Sequence, residues 1–272
     1  MLESFLVTSR ETLEASLVVG IVLAYLNRTN NQNYRKTVYY GIIFGILASL
    51  VAAFVFTFFA GGFDGKAEQM FEGVTMLVGA FLLTTMILWM MKQRHIAKEI
   101  EGKVQQHLDT QTLFSHVGIF MLIFTAIIRE GVETVIFLNA INYASGINFF
   151  GGTLGILAAI IVGYLFFVGS KKINLKRLFG FSSILLILFA AGLVAHGFHE
   201  LEEAGIISGI ISPVFDINNI LSEKGIVGGF LKGLFGYNAS PSLLEVIAYA
   251  SYLGLIFFLH KRMQGSKVKA SS

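Results

Sequence analysis

Seven long apolar runs alternate with short polar segments along the chain. A run of about 20 apolar residues is long enough to cross the hydrocarbon core of a bilayer as an α-helix. The sequence therefore predicts an all-α membrane protein with seven transmembrane helices, at Phe5–Leu26, Val38–Ala60, Phe71–Met91, Ser115–Ala140, Phe150–Gly169, Leu178–Phe198 and Pro241–His260.

The composition supports a membrane protein. The 272 residues are 55% hydrophobic and only 14% charged, whereas a soluble domain carries about 25% charged residues. Cysteine is absent, which excludes disulfides, thiolate metal sites and cysteine nucleophiles. Glycine pairs at Gly41-x-x-x-Gly45 and Gly151-x-x-x-Gly155 predict close contacts between helices.

Basic residues are concentrated in every second connection between the predicted spans and in the segment after the seventh span. The remaining connections contain few, so the positive-inside rule places the N-terminus outside and the C-terminus in the cytoplasm, within the cytoplasmic membrane. Topology explains these basic residues without nucleic acid. They are Arg28, Arg35, Lys36, Lys92, Arg94, Lys98, Lys103, Lys171, Lys172, Lys176, Arg177, Lys261, Arg262, Lys267 and Lys269.

The first three spans and the next three predict two inverted repeats followed by a seventh helix, because an odd number of spans reverses the second unit. The expected organisation is one transmembrane permease domain over residues 1–264 and a short cytoplasmic tail at 265–272. Within the domain, the boundaries are repeat one at 1–110, repeat two at 111–198, an outer loop at 199–240 and the last helix at 241–260. The glycine-rich stretch Gly225–Gly236 is expected either to lie on the membrane surface or to re-enter the membrane.

Two charged motifs interrupt the apolar runs. Span four contains Arg-Glu-Gly-Val-Glu at 129–133, and span one contains Arg-Glu-Thr-Leu-Glu at 10–14. One charge at the centre of a membrane helix costs about 2.5–3.5 kcal/mol on insertion scales. Such clusters therefore face protein, pair with one another or bind a ligand. Two interpretations follow, an inert clamp between helices and an ion site.

The spacing of the motifs favours a cation site. Residues three and four apart share one face of a helix, and both motifs lie roughly 8–15 Å below the outer surface at 1.5 Å per residue. If the motifs meet, four carboxylates and two guanidiniums leave two negative charges, which a divalent cation would balance. Carboxylate oxygens suit hard cations but do not select one metal. The predicted ligands are Glu11, Glu14, Glu130 and Glu133, supported by Arg10 and Arg129.

Acidic and histidine side chains near the predicted outer surface form a candidate route inward. The alternative interpretation is a solvated outer surface. These residues are Glu72, His199, Glu200, Glu202, Glu203 and Glu245. Met86, Met90, Met91 and Trp89 are interpreted as packing residues.

The doubled Arg-Glu-x-x-Glu (REXXE) motif, the seven spans and the segment His-Glu-Leu-Glu-Glu-Ala-Gly at 199–205 resemble the oxidase-dependent iron transporter family of high-affinity iron permeases and bacterial iron-uptake permeases. The resemblance covers nearly the whole chain. Thr12 stands where glycine is frequent in the family, which should alter packing rather than ligation. The resemblance implies an iron permease with the iron ion as transported substrate, metal binding at the four motif glutamates and no permanent cofactor. It also implies a separate ferroxidase or peroxidase and an extracytoplasmic iron-binding protein as partners, with membrane lipid around the chain.

Two alternatives remain at the level of sequence. One is a transporter of another divalent cation, such as lead or manganese, because a lead-uptake branch shares the motif. The other is an intramembrane di-metal carboxylate enzyme, but such sites usually add a histidine three residues after a glutamate. Both motifs have glutamate at that position, so the sequence predicts a transporter and not an enzyme.

Overall fold

The computed structural model describes residues 1–92, 96–108, 112–168, 175–208, 211–218, 220–223 and 225–269, and these contain helices and no strand. Almost all of each predicted span lies in one long helix. The helices of the described chain are α1 (Leu2–Arg28), α2 (Arg35–Ala60), α3 (Lys66–Lys92), α4 (Ile96–Leu108), α5 (Thr112–Ser145), α6 (Phe149–Val168), α7 (Leu175–Glu203), α8 (Ile226–Phe235) and α9 (Leu243–Lys269), with a 3₁₀ turn at Gln32–Tyr34.

Four segments of the described chain are long and apolar enough to cross a membrane, and α1 and α5, which carry the charged motifs, are not among them. On α2, Phe54 and Phe58 remain 72% and 71% exposed, beside other exposed apolar side chains. An apolar face of this extent is typical of a surface that contacts lipid. The chain is therefore an all-helical membrane protein. The four segments are Gln32–Ala60, Lys66–Trp89, Ser182–Glu203 and Leu243–Arg262.

The long helices pack in pairs from opposite halves of the chain: α1 against α6, α2 against α5, and α3 against α7. Helix α9 packs against α7 and contacts α3, where the hydroxyls of Tyr252 and Thr84 lie 2.7 Å apart. Both glycine pairs lie at such contacts. Gly41 and Gly45 of α2 face Ile123 and Ile127 of α5, and Gly155 of α6 faces Thr8 of α1. The predicted close contacts are confirmed, since a β-carbon at any of these glycines would overlap the neighbouring helix.

The connection between the third and fourth predicted spans contains a helix that the sequence interpretation missed. In α4, apolar residues recur every fourth position at 96, 100, 104 and 108, a spacing that gives a helix one apolar face. Val104 is fully buried, and α4 packs against α1 and α5. The basic residues of this connection indicate its side of the membrane but do not reveal the helix.

The outer loop predicted to begin at His199 begins later, because α7 continues to Glu203. Gly205 then ends the helix in the left-handed conformation, at φ +74°. The amides of Gly205 and Ile206 donate to the carbonyls of Glu202 and Leu201 at 3.0 and 3.1 Å, which is a Schellman ending. His199–Glu203 is therefore a helical segment with fixed side-chain directions.

The glycine-rich stretch forms α8, which packs against α7, α1 and α5. Gly236, at the end of α8, contacts Gly192, about 16 Å along α7 from its C-terminal end at Glu203. Glu223 ties the preceding loop to this helix, accepting hydrogen bonds from Lys232 Nζ and the Ala239 amide at 3.0 and 2.9 Å. Burial alone would raise the pKa of Glu223, but these two donors outweigh it and lower that pKa.

Candidate metal site

The two charged motifs meet between α1 and α5. Glu11 from the first motif and Glu130 and Glu133 from the second each present one carboxylate oxygen within 4.8 Å of the others. Hard cations hold carboxylate oxygens at about 2.0–2.6 Å, so oxygens on opposite sides of one ion are roughly 4–5 Å apart. The three carboxylates thus have the spacing that one cation requires.

Each arginine pairs with the glutamates of its own motif. Arg10 Nη2 lies 3.2 Å from Glu14 Oε1, and Arg10 Nη1 lies 3.5 Å from Glu11 Oε1. Arg129 Nε donates to Glu133 Oε1 at 2.9 Å and lies 3.7 Å from Glu130 Oε1. Glu14 pairs with Arg10 and is not part of the three-carboxylate cluster found in the described chain. Glu14 therefore lies beside the three-carboxylate cluster, with Arg10 as its nearest ion-pair partner.

Several oxygens of the cluster lack hydrogen-bond partners among the described residues. Both carboxylate oxygens of Glu11 and Oε2 of Glu130 are buried without a hydrogen-bond partner among the described residues. Glu11 is 2% exposed and Glu130 is 7% exposed. Carboxylates held this close repel one another unless a proton or a cation lies between them. The chemistry of the group fits a hard cation.

Helix α3 adds two residues that the sequence interpretation assigned to packing. The sulfur of Met86 lies 2.6 Å from Arg10 Nη1, and the ring of Trp89 lies 5.7 Å from Arg129 Cζ. Met86 is also part of the buried core. The two residues share one face of α3 at a spacing of three. The spacing of Met86 and Trp89 can be read from the sequence, but their contacts with the two arginines cannot.

Gly131, inside the second motif, allows α2 to approach the site. A β-carbon at this position would overlap Ser49 of α2. Ser49 is held in place, because its hydroxyl donates to the carbonyl of Gly45 at 2.8 Å. The glycine of this motif is therefore a packing requirement.

Gly131→Ala is expected to destabilise the protein by about 1–3 kcal/mol, because the added methyl group must push α2 away from α5. Ser49→Gly should restore part of this loss in the double variant, although it costs stability alone. Thermal unfolding of the four proteins in detergent measures the coupling free energy. Additive effects of the two substitutions would contradict the assigned contact.

Some of the predicted outer residues lie within ion-pair distance of one another. His199 Nδ1 lies 2.8 Å from Glu245 Oε1, and His199 Nε2 lies 3.2 Å from Glu203 Oε1. Glu245 is 3% exposed and accepts a hydrogen bond from Asn238 at 2.8 Å. This group ties α7 to the first turn of α9.

The other outer residues lie beside that group. Glu202 accepts a hydrogen bond from Ser242 Oγ at 2.8 Å. Glu72 and Glu200 are partly buried near the contact of Gly73 with α7. Glu72 precedes Met86 by 14 positions on α3, or about 21 Å. The outer residues are therefore a separate polar layer and do not touch the motif carboxylates.

Comparison with known proteins agrees with this arrangement. The sequence model of the iron permease FTR1 family matches residues 1–269. The protein named ferrous iron permease EfeU from Yersinia pestis is 32% identical over 278 residues, with 100% of this chain and 98% of the relative covered. Its namesake from Escherichia coli O6:K15:H31 is 30% identical over 259 residues, with 93% and 92% covered. No solved structure matches the chain. The two motifs come together between helices of a membrane protein, and the family model matches the chain almost from end to end. The chain therefore belongs to the iron permease FTR1 family, whose members are transporters and not enzymes.

Proposed function

We propose that this chain imports iron across the cytoplasmic membrane through a site formed by its two Arg-Glu-x-x-Glu motifs. The observation that carries the proposal is the approach of Glu11, Glu130 and Glu133 to within 4.8 Å from helices far apart in the chain. Family membership and relatives named ferrous iron permeases support iron as the cargo. Glu14 lies beside the three ligands and, paired with Arg10, completes the charge balance of the site.

The proposed architecture is seven spans arranged as two inverted repeats and a last helix, with the N-terminus outside. The helix pairing supports it. If α1, α2 and α3 correspond to α5, α6 and α7, then the pair α1–α6 corresponds to α5–α2, and the pair α3–α7 corresponds to itself. These are the most extensive pairings in the described chain. An inverted repeat with its site between the two halves is a common plan in secondary transporters.

The proposed route begins at the outer polar layer. In it, His199 lies within ion-pair distance of Glu203 and Glu245, and Glu72, Glu200 and Glu202 lie around these residues. Acidic groups there would concentrate cations by electrostatic attraction before they reach the buried site. A separate ferroxidase or peroxidase and an extracytoplasmic iron-binding protein are the proposed partners on this side.

Radioactive iron uptake into liposomes containing only the purified chain tests the function. We expect iron to accumulate faster than in protein-free vesicles, and excess unlabelled iron to compete better than manganese or lead. Ferrous iron kept reduced and ferric iron, assayed in parallel, identify the transported form. Accumulation of manganese or lead in place of iron would overturn the assignment of iron. So would iron uptake no faster than in protein-free vesicles, with folded protein present.

A further inference from the structure

The two motifs are alike in sequence, but their arginines lie in different surroundings. Arg10 is 1% exposed, and its two Nη atoms face Glu11, Glu14 and Met86. The side chain of Arg129 is 49% exposed, and its ion-pair contacts with Glu130 and Glu133 are through Nε, at 3.7 and 2.9 Å. A guanidinium has five N–H donors in a rigid fork. Arg129 is thus held to the carboxylates by one edge, whereas Arg10 is enclosed.

The other contact of Arg129 is aromatic. Its Cζ lies 5.7 Å from the centre of the Trp89 ring, within the range of a cation–π interaction. Trp89 is itself 42% exposed, and it is the only tryptophan in the chain. Arg129 therefore lies between two attractive surfaces, the carboxylates of Glu130 and Glu133 on one side and the indole face on the other.

A cation bound by the carboxylates changes this balance. The positive ion repels the guanidinium and competes with it for the carboxylate of Glu133. Movement of the charged Arg129 guanidinium into lipid is unfavourable. The Trp89 face is the cation–π partner of Arg129 in the described chain, and tryptophan is the most favourable ring for this interaction.

We propose that Trp89 is a positioning residue for iron binding. When iron displaces the Arg129 guanidinium from Glu133, the indole face of Trp89 holds that guanidinium. The inference rests on the proposed function, because it requires a cation at the motif carboxylates. Without the indole, the guanidinium has only the carboxylates as partners and competes with the incoming ion. Loss of Trp89 therefore weakens iron binding without removing a ligand.

Transport kinetics test this role through the KM for iron uptake into liposomes. Trp89→Leu is expected to raise KM by about 2- to 30-fold, the range that a cation–π contact contributes to an equilibrium constant, with kcat much less affected. Trp89→Phe keeps an aromatic face and should recover most of the affinity. Phe81→Leu is the matched control, since Phe81 is an exposed aromatic residue (66%) of the same helix, and its KM should equal that of the wild type.

A double-mutant cycle shows whether Trp89 acts through Arg129. In an Arg129→Gln background, Trp89→Leu should leave KM unchanged, because the cation that the indole holds is gone. An increase as large as in the wild-type background would overturn the inference. Equal KM values for Trp89→Leu, Phe81→Leu and the wild type would also overturn it, while leaving the proposed function intact. Absence of iron transport by the wild type would overturn both.

The fluorescence of the single tryptophan gives a second readout that needs no substitution at Trp89. Iron added anaerobically to the purified wild type should shift the emission wavelength as the guanidinium moves on the ring, in addition to any quenching. Arg129→Gln should show quenching without the shift. An unshifted emission maximum at an iron concentration that saturates binding would contradict the proposed movement.

Discussion

Replacing Glu130 with glutamine is expected to reduce iron uptake by about 100-fold or more, since even outer-shell supports of metal ligands contribute about 10–100-fold. The substitution keeps the volume of the side chain and removes its charge. Glu130 is 7% exposed, and its Oε2 has no hydrogen-bond partner among the described residues. Water would not replace the lost carboxylate easily, and the remaining glutamates would no longer balance a divalent ion.

The uptake of radioactive iron per folded protein in liposomes measures this effect. Glu99→Gln is the control, because Glu99 lies on α4 with its side chain 54% exposed and pairs with Lys103. It should transport like the wild type. If Glu130→Gln and Glu99→Gln transport iron equally well, the motifs are an inert clamp between helices, the alternative that the sequence left open.

Arg10→Met is expected to have the largest effect on stability, a loss of roughly 3–5 kcal/mol, the usual cost of removing one partner from a buried ion pair. Arg10 is 1% exposed, and the carboxylates of Glu11 and Glu14 that it contacts are 2% and 12% exposed. Without the guanidinium, these groups would remain buried with an uncompensated charge or would take up protons. Methionine preserves much of the length and apolar volume of the side chain.

Thermal unfolding in detergent, followed by the amount of monodisperse protein that survives heating, checks this prediction. Arg129→Gln is the matched variant, since it removes the same charge from the second motif. Because the side chain of Arg129 is 49% exposed, solvent screens its charge and the loss of stability should be much smaller. Similar losses for the two variants would show that the difference in burial has no energetic consequence.

The sequence alone determined the long helices and the polar groups within them. Hydrophobic runs are a local property of the sequence. They predict α1 and α5 as long helices although each contains a charged motif, and the charges indicate that these helices face protein. The glycine pairs that begin at Gly41 and Gly151 predict close helix contacts for a similar reason, because the spacing of glycines along a helix can be read directly from the sequence. The four-residue apolar period of α4 is also present in the sequence and predicts a helix, although the basic residues around it suggest only a connection between spans. The continuation of α7 through His199–Glu203 was missed because charge suggested a loop, whereas glutamate and leucine are good helix formers.

Only the tertiary structure decided which charged groups meet. Glu11 and Glu14 share a face of α1, yet the rotation of α1 relative to α5 brings Glu11 to Glu130 and Glu133 and leaves Glu14 with Arg10. The same packing encloses Arg10 against Met86 and leaves Arg129 half-exposed beside Trp89. The motifs are nearly identical in sequence, so no local pattern distinguishes their arginines. Met86 and Trp89 both lie on α3, a helix separate in the chain from both motifs. Which residue meets which arginine depends on the relative position and rotation of whole helices.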